Sequence, residues 1–578
     1  RRLFHQFFLW SWLLTVPLTV FGAYWTYHTI DRFVTFAVRY NPGIFDFSLG
    51  DMGTYEYLTL KQRVFSAISR MRDTTPSSFS LIHLFVSESN LSTLETHMPQ
   101  SGFDYVKGRM LIDGKLAKVQ IKYRGDYIYH WGFDKKSIRV RTSKNNLFDG
   151  MRSFNLQAPK WDQQLNNFLS LQLATRMGLF APRTRLVRIF INGKDRGIYT
   201  FVEQLGESAL RSAGVMPGDL YRGEMVGKDR FHSIGDRIWL FDSTSLWDKM
   251  STNNHYPLSS MAPLEQLLDL IERRESEEAQ KQLSQLLDMK AWGRFSAFEM
   301  LAHTKHYSKS HNWRLYYDPW RRKLMPIVWD PAGWRWKPKT GERTVAAVIN
   351  SRLHLALFLN GDFLRARHAA LENFFRLGHD DEFLHFVTDT IDRMSQEVKQ
   401  DPFLRPGDPE HVIRAMRNME FRITQVFADI QEKWASDANT SPRYYYHDSL
   451  LQLGTGSRQT IQRLRIQLLR PPDSQLRASA EYLANGEMKQ VDLSGAVQVE
   501  NSTVLLNTKF LSRQSVYEDV LLKPVTRLHT SPGYYRIRFE GLDPELEIVS
   551  VEVDRGNGWL PAESVDTKEE LFSRKMST

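Results

Sequence analysis

His311-Asn312-Trp313-Arg314-Leu315-Tyr316-Tyr317, followed after Asp318-Pro319 by Lys323-Leu324-Met325-Pro326-Ile327-Val328-Trp329-Asp330, reads as two β-strands joined by a turn. The Asp-Pro pair marks the turn. A hairpin centred near Arg321 sets Asn312 roughly opposite Asp330, with one metal-ligand type at each outer end. An Asn and an Asp held side by side suit Mg²⁺, a hard cation that takes oxygen ligands. Polar residues are common wherever a strand meets a loop, so the metal reading depends on the motifs further upstream.

At 578 residues the chain has room for three or four domains and ample length for large cores. Its net charge of +10, from 76 basic and 66 acidic residues, includes no long Lys/Arg block, so nucleic acid is not an expected partner. Cysteine is absent, which excludes disulfides, thiolate metal sites and cysteine nucleophiles and leaves the redox compartment open.

No charge interrupts Phe7 to Trp25, a stretch rich in Leu, Val and Phe and flanked by tryptophans suited to an interfacial belt. Pro17 kinks such a helix without forbidding it, and bulky Phe21 disfavours cleavage after Ala23. The expectation is an uncleaved transmembrane anchor in contact with membrane lipid. Arg1 and Arg2 before the span, against mixed Asp31, Arg32, Arg39, Asp46 and Asp51 after it, put the N-terminus in the cytoplasm. The expected location is therefore the cytoplasmic (inner) membrane, single-pass, with the body extracytoplasmic or periplasmic and an envelope protein as partner.

Beyond residues 1–40 (anchor and flank), residues 41–78 read as a juxtamembrane helix, with Tyr57, Leu58, Val64, Phe65, Ile68 and Met71 as its stripe, and a linker around Thr74-Thr75-Pro76. From Phe79 the pattern turns to strands: Leu81–Val86, a pair around Asp113-Gly114, Val119–Tyr123, Ser137–Arg141 and Arg185–Ile191. Leu264, Leu267, Leu268 and Ile271 mark one helix, and Ala291, Phe295, Phe298 and Ala302 a second that leads to the hairpin. Residues 79–350 form the expected core, 351–445 a helical subdomain, and 455–578, with five short strands separated by turns, a β-sandwich.

Three motifs precede the hairpin. They are Tyr123-Arg124-Gly125 with Asp134-Lys135-Lys136-Ser137-Ile138-Arg139-Val140, the Asn192-Gly193 hairpin whose second strand ends in Glu203, and Leu287-Asp288-Met289 opening a helix. Singly, each is ordinary turn or strand chemistry. In this order and spacing they resemble the spore coat protein H (CotH) kinase family, an atypical branch of the protein-kinase-like fold, over roughly residues 80–337. The resemblance implies an α+β chain with an atypical protein-kinase-like two-lobed core, beside the single N-terminal transmembrane helix, helical extension and C-terminal all-β sandwich read from the pattern. It implies Lys136 as a phosphate-contacting lysine, Glu203 as its ion-pair partner, Arg124 facing the nucleotide, and Asn312 and Asp330 holding metal, with ATP and Mg²⁺ as cofactors.

This chain departs from the family pattern in two places. Kinase catalytic loops place an Asp five residues before the metal-binding Asn, where it accepts the proton of the attacking hydroxyl; here that residue is Tyr307. The family's tryptophan-aspartate motif usually continues to a second Asp, and this chain has Ala332 there. No carboxylate lies in Lys305–Ser310, which leaves His306, or else His303, as the base. The spacing of His303, His306 and His311 fits no compact tetrahedral zinc pattern. Trp329, Trp334 and Trp336 have the rings to stack on a sugar, though core packing is the commoner fate of such a cluster. Two functions follow: a kinase-like scaffold or accessory component of a cell-envelope assembly, one that makes or exports a polymer, with a degenerate nucleotide site, or an active Mg-ATP-dependent kinase acting on an envelope protein or polymer.

Overall fold

The computed structural model describes residues 2–40, 48–72, 76–96, 98, 104–125, 130–159, 162–225, 239–251, 260–274, 276–335, 351–404, 408–454, 461–472, 474–484, 487–507, 514–517, 527–530, 534–543, 546–555 and 558–571. Arg1, Asp46, Thr74, Thr75 and Trp336, used above, lie outside these residues. The chain divides into two compact units interleaved in sequence. The first takes Arg1–Phe168, Pro182–Ser212 and Phe386–Glu420; the second takes Leu169–Ala181, Ala213–His385 and Phe421–Thr578.

The first unit opens with helix α1 (Arg2–Val34), which continues through Pro17. Among the described residues, no helix is long and apolar enough to cross a membrane. This overturns the transmembrane helix in the expected fold class and, with it, the single-pass inner-membrane location. Length is not what fails, since 33 residues at about 1.5 Å per residue span roughly 50 Å. The stretch is uncharged but not sufficiently apolar, because Trp10, Ser11, Trp12, Thr15, Thr19 and Tyr24 dilute its leucines and valines. At its end Arg32 pairs with Glu56 of α2 (Leu49–Arg72), at 2.5 Å, and with Asp134, at 3.3 Å.

The same unit holds a closed barrel. Its strands are β1 (Ser80–Phe85), β2 (Val106–Ile112), β3 (Lys115–Tyr123), β4 (Ile138–Thr142), β5 (Ser153–Gln157), β6 (Thr184–Ile191) and β7 (Lys194–Glu203), in the order β1-β2-β3-β4-β5-β7-β6. Parallel pairing of β1 with β6 closes it. Strand alternation sends Met110, Val119, Ile121, Val140, Phe154, Val187 and Phe201 inward to one apolar core. The two turns read from the sequence form as left-handed pairs, Asp113-Gly114 (φ 49° and 73°) and Asn192-Gly193 (φ 49° and 76°), the geometry that matches strand twist in two-residue hairpins. Helix α3 (Glu88–Thr96) lies between β1 and β2 in sequence.

One segment from much later in the chain completes this unit. Asp401, just after the helix His379–Gln400, accepts hydrogen bonds from Lys135 Nζ at 2.6 Å and from the Ile198 amide at 2.8 Å. Its backbone carbonyl accepts from Gln62 Nε2 at 2.7 Å. Gly197 makes the approach feasible: its φ is +80°, and a Cβ there would run into the Asp401 carboxylate. Gly193 has a similar φ with open space around it. Gly193→Ala is therefore expected to cost about 1 kcal/mol for its left-handed backbone, whereas Gly197→Ala costs several times more, because it also displaces a buried carboxylate. Urea midpoints of the two variants test this, and equal shifts would show that the Asp401 contact contributes nothing.

The second unit contains a four-stranded sheet in the order β11-β10-β8-β9, built from β8 (Asp219–Gly223), β9 (Trp247–Ser251), β10 (Trp313–Asp318) and β11 (Lys323–Pro326). The helix Met289–Leu301 leads toward β10 and is almost wholly buried. Asp288 caps its N-terminus by accepting from the Ala291 amide and also pairs with Arg321, so this motif is structural. Helices Arg352–Phe358 and Gly361–Arg376 follow. Further on, two sheets share one apolar core. One runs Glu487–Asp492, Arg477–Ala484, Tyr534–Glu540, Leu450–Gly454, Arg443–His447, Glu563–Ser564; the other runs Val497–Glu500, Thr503–Leu506, Arg463–Leu468, Ile548–Asp554, Trp559–Pro561.

Candidate active site

In the hairpin, β10 pairs with β11 so that Leu315 faces Pro326 and Asp318 faces Lys323. Continued outward, this register sets Asn312 level with Trp329, one residue short of Asp330. Backbone conformation makes up the offset. Asn312 and Asp330 both take left-handed angles, φ 68° and 45°, which Asn and Asp enter more readily than other side-chain-bearing residues. Both reach one imidazole: Asn312 Nδ2 lies 2.7 Å from His306 Nδ1, and the Asp330 carbonyl contacts the same nitrogen. A single nitrogen cannot donate to a carbonyl while accepting from an amide N–H. With Nδ1–H donating to Asp330, the Asn312 amide must present its oxygen, and the His306 lone pair sits on Nε2. The structure thus brings His306, Asn312 and Asp330 together.

Backbone contacts clasp the two loops that carry these residues. Thr304 Oγ1 donates to the Pro331 carbonyl, the Trp334 amide to Ala302 O at 2.8 Å, and the Trp334 indole N–H to Leu301 O at 2.9 Å. His303, Ala332 and Trp334 also have positive φ (45°, 48° and 54°). Such conformations cost on the order of 1–3 kcal/mol each and gather where a site over-determines its backbone. Trp329 and Trp334 are buried, so packing accounts for the described part of the tryptophan cluster.

Tyr307, in the position of the expected base, is fully buried against Phe295 and Trp313, with ring centroids 4.9 and 5.9 Å away. Burial drives its hydroxyl pKa well above the usual tyrosine range. A carboxylate comes instead from Glu224, directly after β8. It accepts from His311 Nδ1 and, at 3.4 Å, from the Asn312 amide, and lies 3.8 Å from the Arg314 guanidinium. The pairing of β8 with β10, with Gly223 opposite Trp313, places it there, and the Met225 amide donates to Ser310 O to hold the loop. The rings of His306 and His311 meet edge-on at 4.9 Å. Glu224 was missed in the sequence because only strand pairing relates Gly223-Glu224-Met225 to the loop; nothing local marks it.

Among the described residues, no group of three or more His, Cys, Asp or Glu could hold a metal ion. Zinc therefore gains no support, with His306 and His311 turning Nδ1 toward Asp330 and Glu224. The donor set does fit Mg²⁺, which takes one or two protein oxygens and fills its shell with water and phosphate. Asp330 supplies a carboxylate, and the Asn312 amide oxygen has a second lone pair.

The phosphate-binding residues implied by the resemblance lie in the first unit. Lys136 Nζ donates to the Trp131 and Phe133 carbonyls at 2.9 and 3.0 Å and lies 3.7 Å from Glu95 of α3. Burial lowers its pKa, and Glu95 opposes the shift. The expected Lys136–Glu203 pair does not form. Strand register sets Glu203 level with Phe154 and Val140, well along the strands from Lys136. There Arg183 takes the Glu203 carboxylate with two hydrogen bonds, at 3.0 and 2.9 Å. Arg124 follows β3, its amide donating to Ser137 O at 3.0 Å. Gly125 after it has φ +105°, and a Cβ would strike His130, so the Tyr-Arg-Gly turn requires glycine.

Arg124, Lys136, Glu203, His306, Asn312 and Asp330 all fall within one matched segment. Residues 121–351 match the family model described as CotH kinase protein. The match covers less than half of the chain. A curated relative, inner spore coat protein H of Bacillus subtilis (strain 168), is 29% identical over 146 residues, spanning 25% of this chain and 39% of that protein. The CotH likeness stated from the motifs is thus supported for this segment.

Proposed function

We propose that the CotH-like segment binds a nucleoside triphosphate with Mg²⁺ and transfers its terminal phosphoryl group to a hydroxyl acceptor on a protein or another polymer. The observation that carries this reading is Glu224, which returns a carboxylate to a loop whose own base position is filled by buried Tyr307. With the carboxylate accepting from Nδ1–H, His311 is fixed in the tautomer that leaves its lone pair on Nε2. His311 is then the base that takes the acceptor's proton, and Glu224 is the positioning residue behind it. His306 contacts the Asn312 side-chain amide and the Asp330 carbonyl and so holds both in place. Asn312 and Asp330 hold Mg²⁺, which when bound neutralises charge on the phosphate oxygens. In the first unit, Lys136 has Glu95 beside it in place of the expected Glu203.

His311→Ala is expected to lower kcat about 100-fold or more while leaving ATP affinity unchanged, measured by phosphate transfer and by isothermal titration with ATP and Mg²⁺. Wild-type kcat in His311→Ala together with loss in His306→Ala would hand the role of base to His306.

A second reading, a scaffold with a degenerate nucleotide site serving as an accessory component of a protein assembly, is favoured by Tyr307 and Ala332 at the two expected Asp positions. The relative's name places that protein in an inner spore coat, a setting of this kind. Mg-ATP binding without transfer to any acceptor would select this reading.

A further inference from the structure

One face of the barrel carries a concentration of cations that the proposed chemistry does not use. On the outward side of β2, β3 and β4 stand Lys107 and Arg109, Lys118 and Lys122, and Arg139 and Arg141. Register sets Arg109 directly opposite Lys118 and Lys122 directly opposite Arg139, and like charges facing each other across strands are destabilising. Burial, and then Arg139 and Arg141, hold the Lys122 ammonium below its usual range, with Asp104 opposing. Among the described residues, none of Lys107, Arg109, Lys118 and Arg141 forms an ion pair. A surface that keeps repelling charges, four of them without an ion pair among the described residues, is suited to an anionic ligand.

The face is also concave. Lys107, Arg109, Lys118 and Arg141, with Arg152, line a cavity of about 800 Å³ beside Phe85 and Val119. It opens where β4 ends at Thr142, whereas Lys136 precedes that strand. Two of the lining amides are already committed inside the protein. Asn192 exchanges hydrogen bonds with the Val86 backbone, and Asn90 donates to Lys107 O. Arg152 gives one N–H to Thr142 O at 2.6 Å, so Lys107, Arg109, Lys118 and Arg141, with the Gln120 amide, are the groups left to meet a ligand, against the one lining carboxylate, Glu88.

We propose that this face binds an extended protein segment carrying phosphate groups on alternate residues. Cations two positions apart on a strand recur about every 7 Å, the distance between alternate side chains of an extended peptide. Arginine forks grip phosphate with paired hydrogen bonds. Nucleic acid fits less well, because Tyr105 is covered by Lys122 at 4.8 Å and Arg141 at 5.7 Å, which leaves Phe85 as a single ring where a single strand stacks successive bases on several.

Fluorescence anisotropy of the full chain, without nucleotide, tests the proposal with a labelled peptide bearing phosphoserine at every second position. Salt-sensitive binding is expected, weakened at least 10-fold in R109E/K118E and absent for the unphosphorylated peptide. These residues are exposed, and the single variant R141E, expected to weaken binding in the same sense, guards against a fold defect in the double variant. Equal binding of the unphosphorylated peptide, tighter binding of a single-stranded oligonucleotide of equal charge, or unchanged binding in both variants would overturn the proposal.

Discussion

Asp330→Asn is expected to weaken Mg²⁺-dependent ATP binding and any phosphate transfer about 100-fold or more, the scale on which a preorganised charge acts on a reacting phosphoryl group. Asparagine is the informative replacement. Asp330 sits at φ 45° and uses its backbone carbonyl to hold His306, and Asn tolerates that conformation where Ala pays for it. The clasp between the two loops then survives while the charge is lost. Titration with ATP at several Mg²⁺ concentrations, beside a thermal melt, separates the two effects. Unchanged magnesium dependence with an unchanged melt would remove Asp330 from the metal site.

The largest stability effect is expected at Asp401→Ala. Its carboxylate is buried and is the ion-pair partner of buried Lys135, and it also receives the Ile198 amide. Burial already lowers the Lys135 pKa, with Asp401 opposing that shift. Removing the partner strands an ammonium in the interior, which costs about 3–5 kcal/mol. Chemical denaturation with a probe in the first unit reads this loss. A second change, Lys135→Met, is expected to recover much of it, because an apolar side chain of similar length leaves no charge uncompensated. Failure of the double variant to recover would place the cost in the Ile198 and Gly197 contacts instead.

The features legible in the sequence were those carried by local chemistry. The Asn192-Gly193 and Asp113-Gly114 turns were readable because few residues accept left-handed backbone, and the hairpin to Asp330 because its strands adjoin. Residues that depend on long-range pairing were hidden. Glu224 meets His311 only through the register of β8 with β10, and Asp401 meets Lys135 across 266 positions. The Lys136–Glu203 pair failed for the same reason: the motif order named a lysine and a carboxylate, but register decided that Arg183 meets Glu203 and Glu95 lies by Lys136. The anchor fails on chemistry: Phe7–Trp25 carries no charge, but its tryptophans, threonines and Tyr24 leave it short of the apolarity that a crossing needs.

Asp401 also sets a timetable. The last barrel strand ends at Glu203, yet the partner of Lys135 and the Glu397 partner of Arg188 come nearly two hundred positions later. At translation rates of about 5–20 residues per second, the nascent barrel waits on the order of 10–40 s with Lys135 lacking its ion-pair partner and Arg188 held by Asp195 alone. Through that interval the emerging chain has every strand of its barrel but not Asp401 and Glu397, which makes this the window in which a chaperone or a protease finds the first unit most open.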